Sequence, residues 1–248
     1  MKRINQLFRL LRKTRRCGVI AYVTCGDGDT VRIVEELDSA GADAIELGVP
    51  FSDPIADGPV IQAASQRALA KGTSIRDVFS IARKVRERSQ IPLIAFSYLN
   101  PIMRYGTARF AADAIAAGID GVLITDLPPE SDDGTFKRAG LSTIFLLAPT
   151  SSDARIRAVD RASVGFVYYV STTGVTGTRS ELDPSLIERL TEVRAKLKNP
   201  IAVGFGISKR EHYELLRDKC DAIVIGSAIV RAIGEGRSAG DVLRSILV

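Results

Sequence analysis

Short, almost wholly apolar runs recur along this chain at intervals of one strand plus one helix, and no other feature limits the possible folds so tightly. They are Val19–Thr24, Ala44–Leu47, Leu93–Ser97, Gly121–Thr125, Thr143–Leu147, Gly165–Val170, Ile201–Val203 and Ala222–Ile225. Near-continuous runs of this kind mark strands buried on both faces, as in a parallel sheet covered by helices. A helical pattern follows each run, so each opens a βα unit. The longer interval between the second and third runs holds two such patterns, Val60–Ala70 and Ile75–Arg88, and therefore an inserted helix. Glycines at Ala40-Gly41, Ala117-Gly118 and Ala139-Gly140 mark helix ends. Asp183-Pro184 opens a helix that Asn199-Pro200 closes, and Ser208–Glu211 reads as a capping box. Eight units without a Ser- or Pro-rich break predict a closed (β/α)₈ TIM barrel, an α/β fold, in preference to an open doubly wound sheet. The 248 residues are expected to form one domain over 1–248, since such a barrel takes about 250.

In front of the first run, Lys2, Arg3, Arg9, Arg12, Lys13, Arg15 and Arg16 stand with no acid among them. Ile4, Leu7, Phe8 and Leu11 share one helical face, so the segment reads as an added docking helix. A transit peptide or a nucleic-acid arm is the competing reading, but no basic stripe with stacking aromatics appears later in the chain. No nucleic-acid partner is expected. An apolar fraction of 46% and a charged fraction of 25% are ordinary globular values. No apolar run is long enough for a membrane span. Three cysteines at unrelated spacings and one histidine fit no metal-ligand pattern, so no metal is expected and a reducing cytoplasm fits best.

In a barrel of this kind chemistry belongs at the C-terminal strand ends. After the second run, Glu46 to Pro59 packs acids and prolines into one loop. Asp57 could simply cap the helix starting near Pro59. Glu46 is an ionisable group inside an apolar strand, which suits a general acid with a raised pKa. The sixth run ends in Tyr168-Tyr169-Val170-Ser171 and a loop rich in threonine and glycine, suited to a mobile lid. The seventh and eighth lead into Gly204-Phe205-Gly206 and Gly226-Ser227. Glycines at the last two strand ends predict a phosphate site. Cys25 has no neighbour to activate a thiolate, and His212 is expected on the surface of a helix.

The segment ELGVPFSDPIADGP at 46–59 resembles the signature of the tryptophan synthase alpha chain family. The resemblance extends through YVTCGDGD at 22–29, LNPI at 99–102, GVLITDLP at 121–128, GVTG at 174–177, GFGIS at 204–208 and IGSAIV at 225–230. It implies retro-aldol cleavage of indole-3-glycerol phosphate to indole and glyceraldehyde 3-phosphate, with no cofactor in this chain. By the same resemblance Glu46 protonates indole C3, and Asp57 accepts a hydrogen bond from the indole N–H. Thr176 would hold Asp57, and Tyr168 would contact the glycerol part. Tyr22, Leu123 and Phe205 would line the indole pocket, while Gly177, Gly206, Gly226 and Ser227 would bind phosphate. It further implies an α2β2 assembly in which indole passes to a beta chain carrying pyridoxal phosphate, docked through Pro50, Asp53 and Pro128. Thr172 and Gly28 depart from residues common in the family, arginine and proline, at loops whose closure excludes water. The alternative reading is therefore a catalytically weak barrel that mainly activates the beta chain.

Overall fold

Every strand among the described residues runs parallel to its neighbours, and the ring closes within a single segment. The computed structural model describes residues 2–170, 184–204 and 206–248. In order they form α1 (Lys2–Thr14), β1 (Gly18–Thr24), α2 (Thr30–Ser39), β2 (Ala44–Gly48), α3 (Pro59–Ala70), α4 (Ile75–Arg86) and β3 (Leu93–Ser97). Next come α5 (Leu99–Tyr105), α6 (Thr107–Ala116), β4 (Gly121–Ile124), α7 (Thr135–Ala139), β5 (Ser142–Ile144), β6 (Leu146–Leu147), α8 (Asp153–Ala162) and β7 (Val167–Val170). The chain ends with α9 (Pro184–Lys196), β8 (Ile201–Gly204), α10 (Arg210–Leu216), β9 (Ala222–Ile225), α11 (Ser227–Gly234) and α12 (Ala239–Leu247). The sheet order is β5-β4-β3-β2-β1-β9-β8-β7-β6. Residues 142–147 pair with β4 through β5 and with β7 through β6, so these two short strands make one stave of an eight-stave TIM barrel.

The expected fifth run, Thr143–Leu147, is thus two pieces. At the break the Phe145 carbonyl accepts the Tyr168 N–H at 3.0 Å, so the ladder changes partner there without losing that bond. Both inserted helices after β2 are present as α3 and α4. The sequence reading missed two further doublings, α5 with α6 and α11 with α12. Gly106, at φ +95, separates the first pair where a side chain would be strained. The expected cap at Ser208 is corrected: the N-cap of α10 is Lys209, and it makes no side-chain cap bond. His212 is also corrected from surface to buried, because it shares the inward face of α10 with Leu216, four residues on.

Alternate strand residues fill the ring. Ile20, Ala44, Ile94, Leu123, Ile144, Phe166, Ala202 and Ala222 form one buried cluster inside the barrel, and the residues between them pack against the helices. The apolar face of α1 belongs to the same inner cluster: Ile4, Phe8 and Leu11 plug the N-terminal end of the ring. Glycines make room for the plug, since a Cβ at Gly121 or Gly165 would come within 2.9 Å of Ile4. The docking-helix expectation therefore holds.

Three aspartates that directly precede strands hold this lower end together. Asp43 accepts the Val19 N–H, Asp120 the Leu93 N–H and Asp221 the Ile201 N–H, at 2.8, 3.0 and 2.9 Å. Each also meets arginine: Asp43 meets Arg16, Asp120 meets Arg86 and Arg3, and Asp221 meets Arg194. Arg3 and Arg16, two of the basic N-terminal residues, thereby pin α1 beneath the barrel. Since Ile4 is 1% exposed, Ile4→Ala should lower unfolding free energy by ~2–5 kcal/mol. The reading is a lower urea midpoint at unchanged slope; a shift under ~0.5 kcal/mol would show that α1 is not part of the core.

Candidate active site

Strand alternation decides which residues of β2 face the interior. In Ala44-Ile45-Glu46-Leu47, Ile45 and Leu47 join the outer core while Ala44 joins the inner cluster, so Glu46 points inward one layer above it. Its register partner on β1 is Tyr22. Glu46 is 0% exposed, and neither carboxyl oxygen has a hydrogen-bond partner among the described residues. Burial alone pushes its pKa up to about 8, so the group is carried mostly protonated at neutral pH.

Asp57 lies in the loop after β2 and is only partly buried. Gly58 is the N-cap of α3 and makes no side-chain cap bond, so Asp57 does not serve as the helix cap. Burial raises its pKa to about 6, and a hydrogen bond with Tyr98 opposes that rise. Tyr98 is a residue the sequence reading passed over. Its hydroxyl accepts the Ala56 N–H at 2.9 Å, and its ring packs on Phe51 with centroids 5.2 Å apart. One aromatic at the end of β3 thus fixes both sides of the acidic loop; its signal was a tyrosine directly after the third apolar run.

Tyr22 and Tyr168 complete the chamber. Burial pushes both phenols well above their ordinary value, and the charges of Asp57 and Glu46 add to the effect on each. The four groups therefore lie close enough to feel one another's charge. Gly48 and Gly204 leave room for the phenols: a Cβ on Gly48 would collide with the Tyr22 hydroxyl, and one on Gly204 would lie 2.5 Å from that of Tyr168. The Phe96 ring meets Tyr22 edge to face, and Leu123 lies in the interior beside Phe96 in register.

The glycine ends of β8 and β9 sit at the same mouth. Gly206 has φ +62. Gly226, the N-cap of α11, has no side chain to cap the first-turn N–H groups, and Ser227 beside it is partly exposed, an arrangement suited to an anion. Thr172, Thr176, Gly177 and Phe205 lie outside the described residues. Of the expected docking positions, Pro50 is buried, Asp53 exposed and Pro128 partly buried. Ile55 in the same loop is 84% exposed, an apolar contact the sequence reading did not name.

Gly28 has φ +90, a conformation closed to proline, yet its loop is supported. Arg67 donates two 2.8 Å hydrogen bonds to buried Asp27, and the Gly26 N–H donates to Thr30 Oγ1 at 2.9 Å. Cys25 is buried, and burial pushes its thiol pKa up, away from reactivity. No helix among the described residues is long and apolar enough to cross a membrane.

Comparison with known proteins agrees with this geometry. The family model of the tryptophan synthase alpha chain matches residues 8–245. The sequence is 53% identical to the tryptophan synthase alpha chain of Solibacter usitatus over 239 residues, covering 94% of this chain and 90% of that protein. Among solved structures, the alpha subunit from Legionella pneumophila superposes with a TM-score of 0.90 at 35% identity, covering 98% of this chain and 96% of that one. A chain from a structure on mutual activation of the a2b2 complex of Pyrococcus furiosus superposes with a TM-score of 0.86 at 41% identity, covering 93% and 97%.

The raised Glu46 pKa has a consequence for stability. The native state holds this proton to about 8, while an unfolded glutamate releases it near 4.5. The stability lent by the extra proton is whole below about 4.5 and is lost as pH rises toward about 8. Glu46→Gln removes that dependence. Its stability relative to the parent should improve with pH across this window, by a few kcal/mol in total. Urea titrations at pH 4.5 and 8 decide the matter; an unchanged difference between them would place Glu46 in a wetter site.

Proposed function

The chain belongs to the tryptophan synthase alpha chain family, and from that premise we propose that its barrel mouth cleaves indole-3-glycerol phosphate. The observation that carries this reading is a buried Glu46 with no hydrogen-bond partner among the described residues, its pKa pushed up by burial to about 8, beside an Asp57 raised only to about 6. Between those values one carboxyl is a proton donor and the other a carboxylate, two roles set by environment.

In the proposed reaction the Glu46 carboxyl gives its proton to indole C3. The ring nitrogen then carries positive charge, which the Asp57 carboxylate stabilises by accepting the N–H. The bond between C3 and the glycerol carbon breaks, its electron pair returning to the indole ring. The hydroxyl on that carbon loses its proton to the Glu46 carboxylate and becomes the aldehyde of glyceraldehyde 3-phosphate. The proton count closes on Glu46, so the cycle needs only this chain's own groups. Tyr22, Phe96 and Leu123 supply an apolar seat for the indole, and Tyr168 stands toward the glycerol part. The uncapped helix start at Gly226 and Ser227, with Gly206, suits the phosphate. Thr176, Gly177 and Phe205 complete the set by family resemblance.

We assign the partner surface to Asp53, Pro128 and exposed Ile55 on the mouth loops, with buried Pro50 shaping the first of them. The partner is a beta chain in an α2β2 assembly, as in the Pyrococcus relative, and pyridoxal phosphate would belong to that beta chain.

Indole release by the purified chain, with and without a beta chain, tests the assignment. Release should be slow alone and rise strongly with the partner; no release in either case, with docking retained, overturns the lyase reading. Its pH profile should fall below about 6, where Asp57 gains a proton, and above about 8, where Glu46 loses its own. Glu46→Gln should cut the rate at least ~100-fold with the fold intact. Ser227→Asp should abolish phosphate binding by placing a fixed charge at the anion site, and unchanged substrate affinity by calorimetry would count against that site.

A further inference from the structure

The opposite end of the barrel holds a second cavity, of about 400 Å³, where α1 meets the N-terminal ends of β1, β8 and β9. Six cations line it: Arg12, Arg15, Arg16, Arg194, Lys198 and Arg217. Arg16 pairs with Asp43, Arg194 with Asp221 and Arg217 with Glu214, and Asp218 adds a further carboxylate to the lining, so six cations face two lining acids, Asp218 and Asp221. Among the described residues no ion pair is formed by Arg12, Arg15 or Lys198, although all three face one concavity. Leu197 and Pro200, both half-buried, give the cavity an apolar side.

Arg15 stands out further. Among the described residues it is the one non-glycine with positive φ, at +53, and it ends α1 in a turn where the Arg16 N–H reaches the Leu11 carbonyl at 3.0 Å. Glycine takes this conformation without penalty. The turn presents a guanidinium to the cavity where the backbone alone would favour no side chain.

We propose that this cavity binds a small organic pyrophosphate, its anionic group held by Arg12, Arg15 and Lys198 and its apolar part resting on Leu197 and Pro200. Three cations without an ion-pair partner among the described residues, in a lining where cations outnumber acids, suit a polyvalent anion, and guanidinium pairs with phosphate oxygens in two-point fashion. The site is separate from the mouth and does not depend on the reaction assigned there.

Inorganic pyrophosphate reads the anionic half of the site. Calorimetry is done on the full chain carrying Ser227→Asp, which blocks the anion site at the mouth, in about 150 mM NaCl so that diffuse attraction is screened. Binding at one site per chain is expected. Adding Arg12→Gln with Lys198→Gln should weaken it roughly 30-fold. Arg15→Gly should weaken it about fivefold without lowering Tm, because glycine suits that backbone. This second variant keeps the test valid if the double change impairs folding. No binding in the Ser227→Asp chain, or binding that ignores all three substitutions, overturns the proposal.

Discussion

Closing parallel staves into a ring sends every second side chain inward, and the interior has space for little else. That constraint assigns each position of β2 before any chemistry is considered. Ile45 and Leu47 must face helices, Ala44 must fit the crowded lower layer, and Glu46 must enter the layer above. The same alternation brings Tyr22 beside Glu46 and leaves Tyr168 facing them from across the ring. Moving any of these strands by one residue would turn its reactive side chain into the helix layer. The lower layer and the α1 plug also keep the chamber floor dry, and that dryness sets the behaviour of the carboxyl above it.

Two acids in this chamber differ because their surroundings differ in hydrogen-bond donors. Glu46 has none among the described residues, and desolvation acts on it unopposed there. Asp57 sits on a loop where the Tyr98 hydroxyl supports its charged form and water reaches part of it. The gap between about 8 and about 6 needs no metal and no neighbouring arginine. It arises from burial and one phenol, and the phenol's position rests on its packing against Phe51.

The parts of this arrangement legible in the sequence are those that break a local rule. A glutamate in an apolar strand, and glycines at two successive strand ends, are visible because the surrounding pattern predicts something else. The docking helix was legible from the spacing of Ile4, Leu7, Phe8 and Leu11. Tyr98 was not, because a tyrosine after a strand is unremarkable until its hydroxyl is placed against Ala56 and Asp57. His212 was misplaced because a seven-residue helix with five polar or charged residues looks exposed, whereas packing turned its one His–Leu stripe inward. The strand-preceding aspartates, each before a small residue and an apolar run, form a repeat in plain view. Their role required knowing that the N–H each accepts belongs to the first residues of the preceding strand in sequence, β1 for Asp43, β3 for Asp120 and β8 for Asp221.

The two ends of the barrel treat carboxylates in opposite ways, and the backbone explains why. Parallel strands begin with N–H groups that have no ladder partner, so an aspartate at the lower end finds a donor waiting and is further held by arginine. Asp43, Asp120 and Asp221 each take both, and their charge is used to fasten strand starts and α1. Glu46 lies inside the wall, where the strand N–H groups are spent on the ladder: its neighbour Ile45 donates to Pro92 and Val49 donates to Phe96. A carboxyl there gains nothing by ionising and keeps its proton. Fastened strand starts at one end and a retained carboxyl proton at the other are thus consequences of strand polarity in a closed sheet. Placing an acid two residues earlier on β2, at Ala44, would put it in the plugged layer, where it would be equally protonated and out of reach of any substrate.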